Sequence, residues 1–159
     1  EPAVGVAVKP VLERAARMLQ PVARQREVEL TCRADEAAAV RATEGDVHQI
    51  LYNLMENGVK YTAPGGFVHT SVSVEEGRVV IAVSDNGIGI PVEDMPHIFE
   101  RFYRVDKARS RQIGGTGLGL SIVGDTVQRR GGEIGVAPRE GGGTMFTVSF
   151  PQAEPEVTA

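Results

Sequence analysis

The sequence predicts a two-layer α/β sandwich, a sheet carrying about three helices on one face. Three observations lead there. Several segments place apolar residues at helical spacing, and others alternate apolar with polar residues over five to eight positions. Two of the alternating runs, residues 67–74 and 78–84, flank Glu75-Glu76-Gly77, the signature of a hairpin. The composition, 159 residues of which 42% are hydrophobic and 24% charged, suits one compact domain with its own core, so residues 1–159 are read as a single domain.

In chain order, Pro10 and Pro21 bracket a first helix over residues 11–20, where Val11, Ala15, Met18 and Leu19 recur at helical spacing. Residues 28–32 follow as a short strand. A stronger helix starts among the capping groups of Thr43 to Asp46 and runs to about Tyr61, stopped by Thr62-Ala63-Pro64-Gly65-Gly66. After the hairpin, residues 85–116 have loop character with only short helical pieces; in a compact domain so long a loop is usually a lid or a binding loop. A third helix opens from a glycine loop and ends at Arg130 before Gly131-Gly132. Two last strands, residues 133–137 and 144–150, are joined by Gly141-Gly142-Gly143, and the tail from Pro151 to Ala159 is expected to fray.

Composition also excludes. One cysteine, Cys32, permits no internal disulfide, and three scattered histidines form no zinc cluster, so a reducing, cytoplasmic setting is the default expectation. No apolar run approaches the roughly 18 residues of a membrane span, and no signal peptide is evident. A net charge of -4 argues against general nucleic-acid binding. Against that average, residues 99–112 carry Arg101, Arg104, Lys107, Arg109 and Arg111 with only Glu100 and Asp106. Such a stretch is either a solvated face or a contact for an anionic ligand; its place just before the glycine loop favours the ligand.

Four features carry chemistry. Gly114-Gly115-Thr116-Gly117-Leu118-Gly119-Leu120 runs straight into a helix, the build of a phosphate cradle, although such turns also serve structure. On the central helix Val47, Ile50, Leu51, Leu54 and Gly58 form the core stripe, and Asn53, Asn57 and Lys60 line its edge. That edge is either a solvated flank or a ligand-facing strip in which the Asn57 amide oxygen ligates Mg2+ and Lys60 adds charge toward phosphates. Asp85 continues the parity of Val79, Ile81 and Val83, so a carboxylate arrives at the rim of the core, where it needs a donor; an adenine amine fits, with Gly89 leaving room for the ring. Phe99, Phe102 and Tyr103 form either a satellite core or the anchor of a lid whose cations, Arg104 and Lys107 first, close over phosphates.

Five of these segments, in order, resemble the motifs of sensor histidine kinases. Residues 53–62 resemble the N box, 85–91 the first glycine box, 99–103 the F box, 114–120 the second glycine box, and 140–146 the terminal glycine-threonine-aromatic element. The wording around residues 99–106 is most similar to the phosphate-sensing or cell-wall-sensing branch. The resemblance implies the Bergerat ATP-binding fold, with a mixed sheet and a long ATP lid. It implies a catalytic domain that transfers the γ-phosphoryl of Mg-ATP to a histidine on a neighbouring dimerisation domain, with a response regulator as partner. The chain would be monomeric alone, and the full protein would be a homodimeric membrane sensor. The ATP-binding residues implied are Asn53, Asn57, Lys60, Tyr61, Asp85, Gly87, Gly89, Ile90, Phe102, Tyr103, Arg104, Lys107, Gly115, Thr116, Gly117, Leu118, Gly119, Leu120 and Thr144, with Asn57 the metal ligand.

Departures from the pattern shape the expectation. The ATP-hydrolysing relatives hold a water-activating glutamate where this chain has Asn53, and an amide cannot accept the proton. Glu56 is expected on the far, solvated side of the strip. None of His48, His69 and His97 has the context of a phosphoacceptor. Gly58 stands in place of the usual alanine and Pro138 in place of serine, both expected to lie away from the chemistry. A nucleotide-sensing or docking module of the same fold is the alternative function.

Overall fold

The structure is a computed structural model, and it describes residues 1–103 and 119–155. In chain order its elements are β1 (Val4–Ala7), α1 (Val8–Gln25), β2 (Glu29–Ala34), β3 (Ala39–Ala42), α2 (Glu44–Lys60), β4 (Phe67–Glu75), β5 (Arg78–Asp85), a 3-10 turn (Met95–His97), α3 (Gly119–Arg129), β6 (Glu133–Pro138) and β7 (Thr144–Pro151). Five strands form one sheet in the order β2-β4-β5-β7-β6. β2 runs parallel to β4 and the other neighbours are antiparallel, so the sheet is mixed. β1 and β3 pair separately as an antiparallel ribbon, Val4 opposite Ala42.

Period-two alternation sends Val68, Thr70 and Val72 of β4, Val79, Ile81 and Val83 of β5, and Phe146, Val148 and Phe150 of β7 to one buried face. The helices cover that face with Leu12 and Leu19 of α1, Leu51 and Leu54 of α2, and Val123 and Val127 of α3, making one core. α2 lies between α1 and α3. Its buried arc is therefore wider than the stripe expected from the sequence and takes in Met55 and Val59 as well.

Three expectations are corrected. α1 does not stop at Pro21 but runs from Val8 to Gln25 with Pro21 inside it. An interior proline costs roughly 3 kcal/mol, yet here its ring faces solvent. Burial of Leu19 and Ala23 and the bonds Gln20 Nε2 to Leu30 O (2.9 Å) and Val28 N to Ala23 O (2.9 Å) hold the last turn down. The tail expected to fray from Pro151 is tied through Ala153. Gln152 N donates to Gly77 O (2.9 Å), Gln152 Nε2 to Ala37 O (2.6 Å), and Ala153 N to Ala39 O (2.8 Å). β1 and β3 are additional strands of four residues each, held by pairing between distant segments.

Candidate functional site

Strand register builds the site. Asp85, the last residue of β5, stands opposite Val68 on β4 and Thr144 on β7, so three strand ends meet at one edge of the sheet. The Asp85 side chain is 5% exposed. Its Oδ1 accepts from the Gly87 amide (2.9 Å) and the Thr144 amide (3.3 Å). Burial pushes the carboxyl above the usual aspartate range; the amides of Gly87 and Thr144, and the charge of Arg139, pull it only partly back.

The C-terminal end of α2 sits directly above this carboxylate. A Cβ on Gly58 would stand 3.7 Å from Asp85 Oδ2 and 3.0 Å from Val68 Cγ2, so Gly58 borders the site instead of lying away from it. Asn57 and Lys60 flank Gly58 on the half-buried side of α2, with Asn53 one turn earlier. Lys60 Nζ lies 3.6 Å from Glu56 Oε1, and Tyr52 bonds the same carboxylate. Glu56 is thus half-buried in a ladder with Tyr52 and Lys60, not on a solvated far side as expected.

The loop after Asp85 is pinned to the end of α2. Ile88 N donates to Tyr61 O (3.2 Å), Phe67 N donates to Asn86 Oδ1 (2.8 Å), and a Cβ on Gly87 would come within 2.3 Å of Tyr61 O. From the opposite side Gly143, at φ 102°, packs so closely that a Cβ would meet Asp85 O at 1.9 Å; only glycine fits. Gly89 faces Gly143 O across the mouth, where a Cβ would stand 3.7 Å away. Ile90 packs against the core beneath the loop. Tyr61, Asp85, Gly87, Gly89 and Thr144 are therefore brought together at this edge. Sequence reasoning missed Thr62, whose buried Oγ1 beside Gly87 has no hydrogen-bond partner among the described residues.

The aromatic run divides into three environments. Phe99 packs edge-on against Phe146 (6.1 Å between centroids, 72°) and under Gly124 of α3, where a Cβ would lie 3.4 Å from Phe99 Cβ. Tyr103 donates to Asp94 Oδ1 and stacks on His97 (5.4 Å), whose Nδ1 is 2.7 Å from Glu100 Oε2. The bond to Asp94 raises the Tyr103 hydroxyl above the usual range. Phe102 is 64% exposed at φ 64°. Gly119 and Leu120 begin α3. Arg104, Lys107, Gly115, Thr116, Gly117 and Leu118 lie outside the described residues. Of the other two histidines, His48 stacks on Tyr52 (5.6 Å), and His69, which pairs with Ser84 beside Asp85, has its Nδ1 2.7 Å from Thr31 Oγ1.

α3 is locked to α2. Asp46 Oδ2 accepts from Arg130 Nε (2.6 Å), Asp46 Oδ1 from Arg129 Nη2 (3.2 Å), and Gln49 Oε1 from Thr126 Oγ1 (2.8 Å).

A buried carboxylate at a sheet end, a strip of amides on the helix above it and close-packed glycines beside it define the class: an α/β sandwich with a polar site at one edge of its mixed sheet. Residues 42–154 match the histidine kinase-, DNA gyrase B-, and HSP90-like ATPase family, and the chain belongs to that family. It is similar to the sensor histidine kinase WalK of Bacillus subtilis, 45% identical over 122 residues that cover 76% of this chain and 20% of WalK. It is also similar to the sensor-like histidine kinase SenX3 of Mycolicibacterium smegmatis, 38% identical over 147 residues, 92% of this chain and 38% of SenX3. The chain therefore spans about a fifth to two fifths of these relatives. Among solved structures, full-length ShkA in complex with AMPPNP superposes with a TM-score of 0.82 at 30% identity, covering 98% of this chain and 32% of ShkA.

Proposed function

We propose that the chain is the catalytic domain of a sensor histidine kinase, which binds ATP with Mg2+ and presents the γ-phosphoryl group to a histidine on a neighbouring dimerisation domain. A response regulator is the downstream partner, and the domain works on the cytoplasmic side of a membrane sensor. The observation that carries this reading is Asp85: a buried carboxylate at the edge of the sheet, one oxygen held by two backbone amides. The second oxygen can accept from the exocyclic amine of adenine.

The other residues suit the rest of the nucleotide. Asn57 offers one amide oxygen, and among the described residues no cluster of three acidic, His or Cys side chains could hold a metal alone. That donor set fits Mg2+, which takes few protein ligands and leaves most positions to phosphates and water. Bound there, the ion would neutralise charge on the phosphates. Lys60 would turn from Glu56 toward them; the family resemblance implies the amides of residues 115–120, with Phe102, Tyr103, Arg104 and Lys107, as further partners of the nucleotide. Tyr61, Gly87, Ile90 and Thr144 hold the frame around Asp85. Catalysis is positioning and charge stabilisation, the acceptor lying outside the chain.

The test compares label from γ-labelled ATP in this chain alone and in the same gene product extended toward its amino terminus by its next helical domain. Acid-labile label on the extended protein only is the expected result. Nucleotide binding by both with label on neither would overturn the kinase reading in favour of a nucleotide-sensing module. For the metal, Asn57→Asp is expected to change the Mg2+ concentration that half-saturates ATP binding by about tenfold; an unchanged metal titration would remove Asn57 from the site.

A further inference from the structure

We infer that Asp46 is a positioning residue for the phosphate half of the nucleotide site. Its carboxylate grips Arg129 and Arg130 and thereby sets α3, whose first turn carries Gly119 and Leu120, against the α2 strip of Asn53 and Asn57. The inference rests on the nucleotide-binding reading above and goes beyond it. α2 and α3 run in opposite senses, so the N-terminal end of α2 meets the C-terminal end of α3 at the clamp, remote from the site. From Asp46 to Asn57 along α2 is roughly 16 Å at 1.5 Å per residue. The clamp is thus too far away to touch a ligand and acts only through the helices.

Several features single it out from an ordinary surface ion pair. Asp46 is only 15% exposed and Arg130 21%, and each carboxylate oxygen engages a different guanidinium. The pairing also follows both helix dipoles, with the acid in the first turn of α2 and the cations at the end of α3. Thr43 caps the same turn by accepting from Asp46 N (3.1 Å), which fixes the backbone from which the carboxylate projects. Burial alone would raise the Asp46 carboxyl, but the hydrogen bond and charge of Arg130, then Thr43 and Arg129, hold it below the usual range. Gln49–Thr126 repeats the tie one turn further along, and Phe99 under Gly124 braces α3 from the other side. Without the clamp those contacts keep α3 in place but leave its tilt free. A small tilt moves the first turn of α3, and the amides there serve phosphates rather than base.

The test separates the two halves of the nucleotide. Asp46→Asn, Arg130→Gln and the double variant are titrated with ATP and with adenosine, well below each variant's Tm, following the amide resonances of Gly87 and Leu120. Each single variant should bind ATP about tenfold more weakly, with the adenosine Kd within about twofold of the parent, and the double variant should be no worse than the singles. Proportional loss of ATP and adenosine affinity, or unchanged ATP affinity at a lowered Tm, would make the clamp merely structural and overturn the inference. Should Asp46→Asn fail to fold, Arg130→Gln alone decides between these outcomes. A parent chain that binds neither ligand removes the nucleotide reading itself, a result distinct from every outcome for the variants.

Discussion

Burial raises the proton affinity of Asp85, and the amides of Gly87 and Thr144 offset this only in part. The sign of the consequence is fixed: with its folded pKa raised, Asp85 favours folding when protonated, and that stabilisation is lost as pH rises through the folded pKa. At neutral pH the carboxylate is a burden on the free fold and, on the proposed reading, an asset to the nucleotide complex. Asp85→Asn is therefore expected to leave the Tm of the free chain unchanged or higher while weakening ATP binding at least about a hundredfold, read by melts with and without ATP. A preserved ATP-induced rise in Tm would refute the role of Asp85. In the parent chain ATP affinity should fall as pH drops through a value above the usual aspartate range, measurable by calorimetry. Asp85 itself was legible in the sequence, because strand parity carries a carboxylate to the core rim. Its partner Thr144 is 59 residues away, and its neighbour Gly58 matters through a methyl it lacks, so neither relation could be read from spacing.

Elements with local causes were the legible ones. The hairpin turn closes as expected, Glu75 opposite Arg78, with Glu76 and Gly77 both left-handed at φ 50° and 77°. α2 begins at its Thr43 cap, and β6 and β7 fall within a residue of the expected limits. What escaped depends on contacts made across the chain: α1 continues through Pro21 because Leu19 and Ala23 pack on the core, and the alanine-rich β3 is a strand only because β1 lies beside it. The turn between β6 and β7 shows how an element can serve the site. Arg139 N donates to Gly143 O (3.0 Å), the Arg139 guanidinium lies 4.9 Å over the Phe67 ring, and Gly143 seats itself on the Asp85 carbonyl. Gly143→Ala places a methyl into that carbonyl at an unfavourable φ. It is expected to cost about 3 kcal/mol of stability and to weaken ATP binding, whereas Gly141→Ala, with only Arg139 Nη1 at 3.5 Å, should spare binding. Equal ATP affinities for the two variants would argue against the turn as a wall of the site.

On the scale of the whole molecule, the proposed reading has the sheet edge read the base and α2 and α3 hold the phosphates, with the clamp at Asp46 joining the two helices behind them. Such an assembly retains ATP without spending it only if water is not activated inside the domain. The place four residues before Asn57 decides that. A carboxylate there, one helical turn from the metal ligand, would take a proton from water; the Asn53 amide cannot. Glu56 is no substitute, since Tyr52 engages its carboxylate. On the proposed reading the γ-phosphoryl group is thereby kept for the phosphoacceptor histidine, which is what a transferase domain requires and a self-contained ATPase does not. The parent chain should accordingly show near-background steady ATP turnover while binding ATP. Asn53→Glu should raise that turnover by about a hundredfold with ATP affinity little changed, measured by phosphate release at saturating Mg-ATP. Turnover that stays at the parent level, in a variant that still binds ATP, would mean that the side chain at position 53 is not what withholds water from the reaction.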